Sequence, residues 1–232
     1  MNADASTPTD GRVEALEELL NERYSCRGYL AEPVERETIE RIVAIAQRTA
    51  SWCNAQPWQV DIANGATTDR LRDALCEHIA NHPAKPDFEW PAEYRGIYQE
   101  RRRECGLRLY EAVGVERGDR AAGERQRLEN FRFFGAPHVA VVTTDAKLGI
   151  YGAIDCGAWV AAFMLAARGL GVAAIAQAAV AAYPDFWRGQ LGLGADRLVV
   201  CGISFGREDA QHPANRFRTS RAPLDQVVRW VD

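Results

Sequence analysis

The chain has 232 residues, 47% of them hydrophobic and 26% charged, and carries a formal charge of −4. That is an ordinary globular composition, long enough for a substantial core in one large domain or two small ones. An acidic chain without a basic tail is a poor non-specific nucleic-acid binder, so no nucleic-acid partner is expected.

Residues 1–12 are polar and read as a disordered tail, with residues 13–232 as a single domain. Val13, Leu16, Leu20 and Arg23 keep helical spacing and predict a first helix ending near Arg23. After Pro33 and Val34, a stripe of Ile39, Ile42, Val43, Ala46 and Ala50 predicts an amphipathic second helix. Residues 51–58 (Ser-Trp-Cys-Asn-Ala-Gln-Pro-Trp) form a turn, and residues 58–63 a strand closed by Asn64-Gly65. A helix is expected over 69–80, a proline-bearing loop over 81–93, and a helix over 94–113 with Tyr94, Tyr98, Cys105, Leu109 and Ala112 on one side. Its Arg101-Arg102-Arg103 run lies among Glu100 and Glu104 and reads as a solvated face. A polar break precedes a helix over 124–134, which ends in Phe131, Phe133 and Phe134.

Residues 138–144 read as a buried strand. Residues 150–169 read as an apolar core helix; its longest uncharged core, residues 157–167, is too short for the ~20 residues of a membrane span. The apolarity of this helix on nearly every side predicts that several faces are covered, with a second subunit as one cover. A small-residue strand or loop over 172–180, a helix over 184–191, a strand over 198–205, a polar loop to 220 and an amphipathic tail complete the chain. Helices and strands mix without βαβ alternation, so the expectation is an α+β fold.

Six cysteines stand far apart, with no C-x-x-C pair and no histidine at zinc-ligand spacing. That pattern predicts free thiols, no metal site and a cytoplasmic protein. No secretory core or membrane span is expected near the N-terminus. No G-x-S-x-G elbow, P-loop or H-E-x-x-H is present, and the glycine-rich stretch 189–194 precedes a strand instead of following one. Two features could carry chemistry. Arg23, Ser25 and Arg27 alternate, so an extended segment places all three on one side. There they form either a phosphate clamp or a surface pair bonded to nearby Glu. The basic run 216–221 could close the same phosphate. The turn at 51–58 holds two Trp and the amides of Asn54 and Gln56. It is either a buried turn with satisfied amides or a site for a flat heteroaromatic edge.

Taken in order, three stretches resemble the FMN-dependent nitroreductase family. They are Arg23-Tyr24-Ser25-Cys26-Arg27 with Pro33-Val34, the S-x-x-N-x-Q-P-W turn from Ser51 to Trp58, and the Gly202 strand followed by Arg221-Ala222-Pro223-Leu224. Residues 155–171 resemble the family's central dimer helix. Residues 130–138 and 212–221 are similar to the nitrobenzoate and dinitroaromatic reductase branch. The resemblance implies a mixed sheet flanked by helices and an intertwined homodimer with FMN at the interface. By position, Arg23, Tyr24, Ser25 and Arg27 meet the phosphate, ribityl chain and pyrimidine edge. Arg218 and Arg221 close the phosphate, and Ser51, Trp52, Cys53, Asn54 and Gln56 approach from the partner subunit. The backbone of Gln177 and Ala178 faces flavin N5.

Tyr24 stands where Arg or His is common, Trp52 where a small residue is usual, and Thr219 where a second C-terminal base is expected. The implied reaction is ping-pong reduction of a small nitroaromatic to nitroso and hydroxylamine products, with NAD(P)H as donor and NADPH ahead of NADH. No protein nucleophile is required. The pocket wall falls to Trp52, Tyr94, Tyr98, Phe131 and Phe134. The rivals are a quinone or enoate reductase, a reductive dehalogenase or a flavin-fragmenting enzyme of the same fold, and a non-catalytic flavin-binding dimer.

Overall fold

A computed structural model describes residues 10–231. Residues 1–9 of the expected tail lie outside the described residues, and residues 10–12 already belong to α1, Asp10–Glu22. Four strands form one sheet in the order β1-β2-β4-β3: β1 (Gln59–Asn64), β2 (His138–Asp145), β3 (Ala173–Gln177) and β4 (Arg197–Gly206). Every pairing between these strands is antiparallel. Among the described residues, the parallel component of the expected mixed sheet is one isolated bridge, between Ser25 and Ala174.

β2 is buried on both faces, which is why its sequence reads as an unbroken apolar run. The strand period of two sends Ala140 and Val142 into one core cluster and Val139 and Val141 into another. The first cluster lies under α2 (Arg36–Ala46) and α6 (Gly149–Gly169). The second lies under α3 (Gly65–Asn81) and α7 (Pro184–Leu191). The sheet is therefore the middle of three layers.

α2 buries Ile39, Ile42 and Ala46 as expected. It stops before Ala50, which is exposed, because Thr49 turns its hydroxyl onto the Ala46 carbonyl at 2.7 Å. α3 begins four residues earlier than expected, at Gly65. That residue takes φ +50° and donates its N–H to the Pro137 carbonyl at 3.2 Å. α5 (Arg120–Leu128) also begins early, because the Asp119 side chain caps it by accepting from the Ala122 N–H at 2.8 Å. It does not run to Phe134. Phe133, Phe134 and Gly135 take successive left-handed φ values of 56°, 52° and 76°, so the chain reverses there. α4 (Gly96–Ala112) buries no residue at all.

α6 packs Cys156, Trp159, Val160, Phe163, Ala166 and Ala167 against the sheet and α2. With the turn before it, the 24 residues Ala146–Gly169 are long and apolar enough to cross a bilayer by length and composition, beyond the 11-residue stretch read from sequence. The expectation that several faces are covered fails within one chain. Ile150, Tyr151, Ile154, Gly157, Ala158 and Ala161 form an exposed stripe opposite the buried one.

Candidate functional site

Residues 23–27 leave α1 and run beside β3, held by the Ser25–Ala174 bridge and by the Cys26 N–H donating to the Ala174 carbonyl at 3.4 Å. The extended alternation buries Cys26 and turns its neighbours outward. A cleft of about 280 Å³ opens there. Arg23, Tyr24, Ser25 and Arg27 line one side, and Phe217, Arg218, Thr219 and Arg221 line the other. The two basic clusters, nearly 200 positions apart in sequence, thus face one space.

Asn215 joins them. Its buried side chain accepts the Arg27 N–H at 2.7 Å and donates to the carbonyls of Gly28 at 2.8 Å and Asp209 at 2.9 Å. This residue went unrecognised in the sequence, where one amide in a polar loop carries no distinguishing pattern.

Among the described residues, none of Arg23, Arg27, Arg218 and Arg221 is ion-paired to a carboxylate. Burial and then the neighbouring Arg221 hold the Arg23 guanidinium below its usual value. Burial does the same for Arg27, whose guanidinium lies 5.9 Å from the ring centres of both Phe134 and Phe217. Four guanidinium groups on one cleft without a carboxylate partner among the described residues suit an anion. Donor forks and a Ser25 hydroxyl suit a phosphate monoester.

Tyr24 points its hydroxyl away from this charge. It donates to Glu208 Oε2 at 3.1 Å, and burial, Cys26 and Glu208 together raise its pKa. Its ring carries the Arg218 guanidinium at 3.6 Å.

The 51–58 turn is built from left-handed residues: Cys53, Asn54 and Gln56 have φ of 51°, 55° and 47°. Each costs about 1–2 kcal/mol for a residue with a Cβ, least for Asn. The Ser51 hydroxyl accepts the Gln56 N–H at 2.9 Å, and the Ser51 carbonyl accepts the Asn54 N–H at 3.0 Å. The Gln56 amide bonds Asn54 Oδ1 at 3.2 Å and Gln47 Nε2 at 3.0 Å, so much of the amide capacity is used locally. Trp58 is buried, but Trp52 is 56% exposed, edge-on to Tyr151 at 4.2 Å.

In a single chain this turn is remote from the cleft. The Trp52 N–H bonds Asp155 at 3.1 Å, whereas Arg23 and Tyr24 lie beside Met164 and Arg168. Asp155 and Arg168 are thirteen residues apart on α6, about 20 Å.

The remaining expected residues scatter. Phe131 is 3% exposed and packs in the second core cluster against Tyr183. Phe134 is 6% exposed, with its ring toward Arg27. Tyr94 and Tyr98 stand on the surface around the start of α4, Tyr94 beneath Arg102 at 5.1 Å. The expectation that these aromatics form one wall with Trp52 is not met within one chain. The Gln177 side chain faces the interior, where it accepts the Ser204 hydroxyl and donates to the Asn130 carbonyl at 2.8 Å. Ala178 is exposed just past the end of β3. All six cysteines are unpaired, and no cluster with metal-ligand character occurs among the described residues.

A profile described as the nitroreductase family matches residues 20–207. The chain is 34% identical over 228 residues to "Nitroreductase NfnB" of Mycolicibacterium smegmatis, covering 96% of this chain and 95% of that one. It is 32% identical over 224 residues to a 4-nitrobenzoate reductase of Nocardioides sp., covering 94% and 91%. The crystal structure of the FMN-dependent nitroreductase NfnB from Mycobacterium smegmatis in complex with NADPH superposes with a TM-score of 0.91 at 33% identity, covering 95% of this chain and 100% of that one.

Proposed function

The chain belongs to the nitroreductase family, and from that membership we propose that it is an FMN-dependent NAD(P)H oxidoreductase that reduces nitroaromatic compounds. The observation that carries this is the cleft where Arg23, Arg27, Arg218 and Arg221 meet without a carboxylate among the described residues. That donor set fits the phosphate end of FMN, with Ser25 as an added hydroxyl donor. Within that set we assign Arg27, whose guanidinium lies 5.9 Å from the ring centres of Phe134 and Phe217, to the pyrimidine edge of the flavin and leave the phosphate to the other three. We assign the Gln177–Ala178 backbone, at the end of the strand that the Ser25 bridge joins, to flavin N5.

Bound FMN would supply two-electron hydride chemistry, with NAD(P)H as donor and the nitro group as acceptor, toward nitroso and hydroxylamine products. The chain binds, orients and supplies positive charge beside the reduced ring, and no side chain serves as a covalent nucleophile. NADPH is the favoured donor, supported by the NADPH-bound relative.

A second copy of the chain completes the site in this reading. The exposed apolar stripe of α6 needs a cover, and a two-fold axis across it sets the turn end of one helix against the cleft end of the other. Ser51, Trp52, Cys53, Asn54 and Gln56 then reach the partner's flavin, and Trp52, Tyr94 and Tyr98 line the substrate space between subunits. We place this single-domain homodimer in the cytoplasm, consistent with six free thiols.

The test is the visible spectrum of the purified protein before and after anaerobic NADPH. Flavin bands that bleach with NADPH and return with a nitroarene are expected. A protein that neither carries FMN nor takes it up overturns the reading.

A further inference from the structure

Arg218 is supported from two directions. Its guanidinium lies over the Tyr24 ring at 3.6 Å, close enough for full cation–π contact. Its Nη1 donates to the carbonyls of Asn215 at 2.8 Å and Phe217 at 3.0 Å. Asn215 is itself fixed to the backbone of residues 27–28, which ties Arg218 to the segment that carries Arg23 and Ser25. Tyr24 is held independently. Its hydroxyl has one proton, given to Glu208, whose charge is balanced by Arg168 at 3.5 Å and through it linked to Glu22. With that proton committed, the oxygen has only lone pairs to show an anion, and those repel it. The face of the ring is the part of Tyr24 that serves the cleft.

We propose that Tyr24 is not a phosphate ligand but the platform that aims Arg218 at the phosphate, so that residues 24 and 218 act as one cationic unit. This rests on the FMN reading above and corrects the assignment of Tyr24 as a direct cofactor contact. Residues 24 and 219 are neutral, and the stacked Arg218 is the cation beside both of them in the cleft.

The experiment compares FMN with riboflavin, which lacks the phosphate, by fluorescence titration of flavin-stripped full-length protein. Tyr24→Phe keeps the ring and is expected to keep FMN affinity. Tyr24→Leu and Arg218→Gln are each expected to weaken FMN by about ten-fold and leave riboflavin unchanged. The double variant is expected to bind FMN no worse than Arg218→Gln alone. Tyr24→Arg in the Arg218→Gln background, which returns a cation to the cleft, is expected to recover FMN binding.

The proposal is overturned if Tyr24→Phe is as weak as Tyr24→Leu, because the hydroxyl is then the ligand. Equal loss of FMN and riboflavin in Tyr24→Leu overturns it as well, since that is a packing effect, and so does full additivity in the double variant. A wild-type protein that binds riboflavin as tightly as FMN removes the phosphate site itself, and with it the reading on which the proposal rests.

Discussion

Arg23 and His138 show what a single side chain contributes here. Arg23 sits half-buried against Arg221 with no carboxylate to neutralise it among the described residues, so the cleft keeps unspent attraction for an anion. Replacing it with alanine removes one charge-assisted contact, about 1.5–3 kcal/mol. Arg23→Ala is therefore expected to weaken FMN by ten-fold or more in a binding titration, and unchanged affinity would exclude residue 23 from the phosphate site.

His138 is buried and stacked on Phe205 at 5.0 Å, and its Nε2 accepts the Val34 N–H at 2.8 Å. The neutral ring thus carries its proton on Nδ1, which is buried without a partner among the described residues. Burial lowers its pKa from 6.5, so the unfolded chain binds the proton more readily than the folded one. Stability from this group is whole above pH 6.5 and declines as the pH falls below it toward the lowered folded value. Thermal unfolding at pH 7.5 and 5.5 should show a smaller acid drop in His138→Gln than in wild type. An equal drop would assign the acid sensitivity to other groups.

The elements differ in how plainly their sequences announced them. α2 was legible because Ile39, Ile42 and Ala46 repeat at the helical period and point into one core. β2 was legible because both of its faces are apolar. The reversal at Phe133-Phe134-Gly135 was not, since phenylalanine carries no turn signal and favours right-handed or extended backbone. Its aromatics looked like the last turn of a helix. α4 was half legible: of the expected side, Cys105, Leu109 and Ala112 are half-buried, while Tyr94 and Tyr98 stand exposed.

The two halves of the cleft were legible in the alternation of residues 23–27 and the basic run 216–221. Asn215, which holds them together, was not, because its role depends on long-range contacts alone. At this scale one close approach lies on β4. A Cβ on Gly202 would lie 2.6 Å from Val180 Cγ1 and 2.8 Å from its Cβ, a stiff β-branched neighbour. Gly202→Ala should cost about 1–3 kcal/mol by overpacking, read as a lower denaturation midpoint. An unchanged midpoint would mean that the segment around residue 180 yields freely.

The described residues leave a broad apolar stripe on α6 and set the 51–58 turn and the 23–27 segment at opposite ends of that helix. Sequence alone made a second subunit expected from the apolarity of the helix. The separation of the stretches, about 20 Å by helix length, adds a geometric reason that only three-dimensional structure supplies. A charge in the middle of the stripe should therefore abolish association and cofactor retention together. Ala158→Arg is expected to elute as a monomer and to purify without flavin, measured by light scattering and absorbance. A monomer that retained FMN with full affinity would show that each chain holds its cofactor alone.

The joining of residues 23–27 to 215–221 through Asn215 also bears on how the protein is made. A ribosome synthesises Arg23 and Arg27 early and Arg218 and Arg221 roughly 190 residues later. At about 5–20 residues per second, the first half of the cleft waits some ten seconds or more for the second. During that interval the nascent chain presents two cations of four to any nucleotide it meets. Assembly of the cleft is thereby deferred until translation has nearly passed the whole described fold, and a chain truncated before residue 215 is expected to lack one of its two sides.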